Sequence, residues 1–405
     1  MNIVEPILYH CKLNPWDVAI CVPGSALESI TYGRLEKLIH NVARTALSGD
    51  LRPRNVVALS VNDVIVHAAL IYGLARAGIT TLSLHGTNVP KNIPIDAIVT
   101  DAPQLFSQAP KVIRVDPTWL AGDGKAPHYD RIYQNSDDDI CRIVLTSGSA
   151  DEPKGVPFSH RLLWDRVAIF AFQKGAHFQR CSRLFCDRGI GTAEGFLYAF
   201  HMLLRGGTIY FLGSDPVAIL QYFDLHKIQG MATSPAGLAD LAKYLETDST
   251  FECRFDHIIC QGATLSRDLS ERVRARMCPQ LFCSYGATES GSIAFAPASI
   301  LADTPGAVGY VAPGVTVDVV DRNGQIVPAG QQGAIRVRSP MVAQSYVGDE
   351  AATNKAFRDG YFYTDDFGYV TEDRLMVITG REKTGPNLDG DSSNPEIPAA
   401  KVTAT

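Results

Sequence analysis

Three short segments of the chain hold the residues best suited to phosphate chemistry. In the first, Thr146, Ser147, Gly148 and Ser149 are followed by Pro153, Lys154 and Gly155. Small residues let backbone N–H groups approach phosphate oxygens, hydroxyls add hydrogen bonds, and the lysine brings charge. The plainer alternative is an ordinary Ser/Gly turn after a strand. The lysine precedes its glycine, so this is not a Walker loop, which needs Gly-Lys-[Ser/Thr]. In the second segment Tyr285, Gly286, Ala287, Thr288 and Glu289 are consecutive. The ring suits a purine face, the threonine a phosphate and the glutamate Mg²⁺; a loop with an exposed glutamate is the alternative. The third segment is Thr364-Asp365-Asp366, with Gly380-Arg381 further on. A carboxylate such as Asp366 accepts from two vicinal hydroxyls at once, although a charged hairpin turn would have the same composition. Each segment alone is weak. In this order and at these distances they read as one ATP site.

The elements around them alternate in type. Residues 55–60, 80–84, 140–146, 208–212 and 257–261 are apolar runs of strand length, with helical stretches between them. Residues 65–77 place Ile65, Ala68, Ala69 and Tyr72 on one helical face. Strands alternating with helices predict parallel α/β layers. After about residue 305 glycines punctuate short β-type runs at 315–320 and 334–337, and Asn323-Gly324 is a hairpin signal. That part is expected to be a small β-rich unit on the α/β body.

The chain's 405 residues allow two or three domain-sized units. A net charge of −6 gives no reason to expect nucleic acid or an anionic membrane as partner. No apolar run reaches the length of a membrane span, and the first residues do not read as a secretory leader. The nine cysteines include no C-x-x-C pair, and Cys181/Cys186 and Cys278/Cys283 lack histidines at zinc spacing. Free thiols in a reducing cytoplasm are the expectation.

The first segment resembles the phosphate loop of the adenylate-forming superfamily, which includes acyl-CoA synthetases, firefly luciferase and nonribosomal peptide adenylation domains. Their pattern is close to Thr-Ser-Gly-Thr-Thr-Gly-x-Pro-Lys-Gly; here Ala150 replaces a hydroxyl residue and Asp151 a glycine. Residues 285–289 match the family's Tyr-Gly-x-Thr-Glu completely. Gln261-Gly262-Ala263 is similar to its Gly-Gly-Ala turn, which lines the adenine and acyl pockets. Residues 359–366 resemble Gly-Trp-x-x-Thr-Gly-Asp, with Asp365 in place of a glycine. Residues 375–383 resemble the strand and Gly-Arg that close the large domain, and the likeness extends back to Thr31-Tyr32 and Leu35.

The resemblance implies an α/β fold with two parallel-sheet subdomains to about residue 304 and a β-rich, barrel-like subdomain at about 305–380. Residues 1–380 would form the large N-terminal domain, and 381–405 a hinge and the remnant of a small C-terminal domain, most of which is missing. It also implies ATP-dependent activation of a carboxylic acid to acyl-AMP, with transfer to the thiol of coenzyme A or of a phosphopantetheine on an acyl carrier protein. In this assignment Thr146, Ser147, Gly148, Ser149 and Lys154 hold phosphates, and Glu289 holds Mg²⁺. Thr288 contacts the α-phosphate. Tyr285 and Gly286 lie at adenine with Gly262 and Ala263, Asp366 and Arg381 fix the ribose, and Lys383 marks the hinge. The Phe-Asp-x-Ser pattern of amino-acid activators is absent, which favours an aliphatic or aryl acid. A relative that has lost nucleotide chemistry and binds an acyl ligand or a partner is the alternative, suggested by Ala150, Asp151 and Asp365. An α/β-hydrolase is excluded because the chain has no Gly-x-Ser-x-Gly elbow.

Overall fold

The computed structural model describes residues 1–107, 109, 111–121, 133–146, 153–212, 218–247, 255–301 and 303–381. Ser147, Gly148, Ser149, Ala150, Asp151 and Lys383 therefore lie outside the described residues.

Helices are started by side-chain caps. Thr31 accepts from Arg34 N–H ahead of the helix Tyr32–Ser48, and Asp63 accepts from Val66 N–H ahead of Val64–Arg76. Each cap satisfies a backbone donor that the first helical turn leaves free. The two helices pack closely at Gly73, where an added Cβ would stand 2.6 Å from Val42. Ser159 caps His160–Gln173 and Thr192 caps Ala193–Leu203, the two helices that face the site.

Two sheets carry these helices. The six-stranded sheet runs Val112–Arg114, Ala97–Thr100, Val56–Ser60, Thr80–Ser83, Ile140–Leu145 and Gly155–Ser159. All its neighbours are parallel except the last pair, an antiparallel hairpin. The larger sheet contains parallel strands Val18–Cys21, Thr208–Phe211, Arg183–Cys186, Gly230–Thr233, His257–Gln261 and Leu281–Ala287. These bury near-continuous apolar runs, as strands covered on both faces do.

The predicted strands appear within a residue or so of their expected bounds: 55–60 as Val56–Ser60, 140–146 as Ile140–Leu145, and 257–261 as His257–Gln261. The β-rich part is hydrogen-bonded onto the larger sheet and continues it. From Gly291–Pro297 the order passes through Ala307–Val311, Leu375–Arg381, Tyr361–Val370, Gly333–Arg338 and Thr316–Val320, antiparallel throughout. The continuous antiparallel part of this sheet thus starts with Gly291–Pro297, ahead of the change in texture near 305. Asn323-Gly324 does turn the chain, with Gly324 at φ 77°. No helix among the described residues is long and apolar enough to cross a membrane. The eight described cysteines are free.

Candidate active site

Thr146 and Lys154 close the loop between the antiparallel strands Ile140–Leu145 and Gly155–Ser159, with Thr146 N–H donating to the Lys154 carbonyl at 3.0 Å. These two described ends of the candidate phosphate loop border a cavity of about 640 Å³ together with Thr288, Glu289 and Arg381. Residues more than 230 positions apart in sequence meet there because the hairpin, the strand Leu281–Ala287 and the strand Leu375–Arg381 converge on one cleft.

A tyrosine absent from the motif reading links two of these groups. Tyr346 donates its hydroxyl to Glu289 Oε1 at 2.7 Å, and Lys154 Nζ stands 5.0 Å from the centre of the Tyr346 ring. Burial first, then the neighbouring Glu289 charge, pushes the Tyr346 phenol up, so it stays a donor. Among the described residues no ion pair joins Glu289 to a cation, and no cluster of three metal-ligating side chains is present. One carboxylate facing a phosphate site fits Mg²⁺, which is commonly held by one or two carboxylates and the phosphates themselves.

Arg166 holds the Thr288–Glu289 backbone in place. It lies on the helix His160–Gln173 and donates to the Thr288, Glu289 and Met341 carbonyls at 2.9, 3.0 and 3.0 Å. Its guanidinium sits over Phe158 at 4.3 Å, and burial lowers its pKa to about 9. It therefore remains charged near neutrality.

Asp366 and Arg381 are cross-strand partners in an antiparallel pair, 3.6 Å apart, and Tyr285 donates its hydroxyl to Asp366. Burial, ahead of the relief from Tyr285 and Arg381, raises the Asp366 carboxyl above its ordinary value. Tyr285 and Asp366 stand one layer behind the cavity wall; Gly286, Thr364, Asp365 and Arg381 border it directly. Asp365 has φ 61°. That left-handed conformation favours glycine, which gives a physical reason for the glycine of the resembling pattern. Aspartate is among the residues that tolerate it.

Gly262 also borders the cavity, and Ala263 does not. Glu194, Tyr198 and His201 project from one face of the helix Ala193–Leu203, at spacings of four and three residues. Tyr198 donates to Gln261 at 3.3 Å. Arg188 lies 3.5 Å from Glu194 and 3.7 Å from Asp187, a salt-bridged position. None of Tyr346, Arg166, Lys355, Glu194, Tyr198 or His201 belongs to a motif. For the helix Ala193–Leu203, polar residues recurring at helical spacing within an apolar stretch were the available signal.

Comparison with known proteins agrees with this geometry. The sequence profile of the AMP-binding enzyme family matches residues 10–347. A feruloyl-CoA synthase of Amycolatopsis sp is 25% identical over 408 aligned positions, covering 93% of this chain and 80% of that protein. A putative acyl–CoA ligase of Bacillus subtilis, YdaB, is 28% identical over 288 positions, 68% of this chain and 54% of its own length. The crystal structure of VinN superposes with a TM-score of 0.82 at 20% identity, covering 94% of this chain and 99% of VinN. A profile that spans most of the chain, with the fold and the cleft residues in agreement, places this protein in the AMP-binding enzyme family.

Proposed function

We propose that the protein activates a carboxylic acid with ATP, giving acyl-AMP and pyrophosphate, and then passes the acyl group to a thiol. One observation carries the reading: Thr146, Lys154, Thr288, Glu289 and Arg381 border a single cavity. The acyl-CoA synthase and ligase names of its relatives support it.

In the first step a carboxylate oxygen of the acid attacks the α-phosphorus. The bond from that phosphorus to the bridging oxygen breaks, and the electron pair leaves with pyrophosphate. Such transfers depend on positioning and on stabilising charge. Lys154 and the Thr146 and Thr288 hydroxyls hold phosphate oxygens, with the Ser147, Gly148 and Ser149 backbone as further donors. Glu289, kept in place by Tyr346, holds Mg²⁺, which neutralises phosphate charge when bound. Asp366 and Arg381 orient the ribose, and Gly286 and Gly262 leave room for adenine beside Tyr285 and Ala263. By the resemblance Lys383 would mark the hinge. In the second step a thiolate attacks the acyl carbon, and AMP leaves. Coenzyme A is the acceptor that the relatives' names favour, with a carrier-protein phosphopantetheine as the other.

The test is pyrophosphate release from MgATP with a panel of aliphatic and aryl acids, with hydroxylamine added to trap acyl-AMP. Acid-dependent release and a hydroxamate are expected. A folded chain that binds MgATP yet releases no pyrophosphate with any acid would refute acid activation.

A further inference from the structure

Behind two serines of the cavity wall, Ser284 and Ser292, lies a lysine that no motif explains. Lys174, 4% exposed, follows the helix His160–Gln173. Its Nζ lies 2.9 Å from Ser284 Oγ and 3.4 Å from Ser292 Oγ, 3.9 Å from the centre of the Phe295 ring and 5.0 Å from that of Phe170. No aspartate or glutamate among the described residues forms an ion pair with it. An ammonium group taken out of water is costly unless paired, and burial depresses the Lys174 pKa strongly. Glu194, one of the acids that border the cavity, is engaged by Arg188.

Counting hydrogens shows what this wall offers. An anion in the cavity would hold Lys174 as an ammonium, which has only donors, and in that state Lys174 donates to both serine oxygens. The two hydroxyls lie 3.1 Å apart, and one donates to the other. One hydroxyl hydrogen is then left over, and both serines border the cavity. The same count applies to His201, 1% exposed and also on the cavity wall. Arg205 Nη1 is 2.9 Å from His201 Nε2. A guanidinium can only donate, so Nε2 accepts and the neutral ring carries its hydrogen on Nδ1. That Nδ1 is buried without a hydrogen-bond partner. The His201 and Phe170 ring centres are 5.5 Å apart, so both donor groups share the Phe170 floor.

From this geometry we propose that the acid carries a second, anionic carboxylate remote from the one activated: a dicarboxylic acid whose distal group docks on Ser284, Ser292 and His201, with Lys174 as counter-charge. The proposal rests on the acid-activation reading for the identity of the first carboxylate. A negative charge is favoured over a neutral oxygen because the lysine has no acid partner among the described residues.

The test is calorimetric binding of the full chain to matched pairs: adipate and its monomethyl ester, and terephthalate and its monomethyl ester. Pyrophosphate release with MgATP is followed in parallel. At least one diacid is expected to bind tenfold or more tighter than its ester, and that preference should collapse in Lys174→Met. Ser292→Ala, a milder change that keeps the lysine, should reduce the preference several-fold. Equal or weaker binding of both diacids, no binding of either, or a preference that survives both substitutions would overturn the proposal. Selective diacid binding with no pyrophosphate from any acid would refute acid activation and leave the anion site standing.

Discussion

The two ends of the cavity are built differently. At the nucleotide end the groups come from short contiguous stretches at strand ends, and several are solvent-facing: Arg381 has 73% of its side chain exposed. At the end we read as the acyl end, Tyr198 and His201 are buried on one helix and Lys174 follows another, and their partners Gln261, Arg205, Ser284 and Ser292 come from further elements. A nucleotide presents the same phosphates and ribose each time, so its site can be a set of fixed local patterns. The acyl end has to fit one substrate, so its chemistry lies in how helix faces and strand interiors meet. Substitutions at the first end should therefore depress activity with every acid alike, and those at the second should change which acid is preferred.

The sharpest test of that contrast is Glu289→Gln. Removing one preorganised charge from a phosphate-transfer site commonly costs about 10²–10³ in rate. The same factor is expected for every acid tested, read as pyrophosphate release. An acid-dependent factor would break the contrast.

Arg166→Met comes next, in stability. It removes the donor shared by three backbone carbonyls. Leaving the Thr288 and Met341 carbonyls without this donor, while Glu289 keeps the Ala343 N–H, should cost on the order of 2 kcal/mol, measured as a lowered urea midpoint. A loss below the resolution of the measurement would show that Arg166 does not hold the Thr288–Glu289 backbone.

The third test is pH. Burial first lowers the His67, His160 and His201 pKa values to about 3, 4 and 3. Between those values and about 6.5 the unfolded chain binds more protons than the folded one. Stability should thus be retained above about pH 6.5 and lost as the pH falls toward 4, read as the urea midpoint at successive pH values. A midpoint constant from pH 7 to 4.5 would contradict this neutral, buried state.

Smaller effects follow at Tyr346 and Asp365. Tyr346→Phe removes one hydrogen bond to a carboxylate, worth about 1.5–3 kcal/mol, and should slow acid activation roughly tenfold for all acids. Asp365→Gly relieves a left-handed backbone and removes a negative charge from the cavity rim. A two- to threefold gain in MgATP affinity is expected by calorimetry, and unchanged or weaker binding would mean that Asp365 does not oppose phosphate.

This contrast also explains what was legible in the sequence. The alternation of strands and helices carries the α/β architecture, because parallel strands must be apolar on both faces and their helices on one. Tyr285-Gly286-Ala287-Thr288-Glu289 stands out in the sequence because its residues are contiguous at the end of one strand, where Gly286, Thr288 and Glu289 border the cavity. Tyr346 does not, since its role depends on reaching Glu289 from 57 positions away. Lys174 looks like an ordinary solvated lysine in sequence; only the packing of Phe170 and Phe295 around it reveals a buried lysine with no acid partner among the described residues. The β-rich segment was visible from its glycines, but its fusion onto the larger sheet depends on Gly291–Pro297 pairing with both Leu281–Ala287 and Ala307–Val311.

The central claim is that the scattered motif residues form one nucleotide site. Calorimetric titration of the full chain and of Asp366→Ala with MgATP tests it most directly. Saturable one-to-one binding that weakens at least tenfold in the variant is the predicted result. A folded chain that takes up no MgATP, or a variant that binds as tightly as the parent, would contradict it.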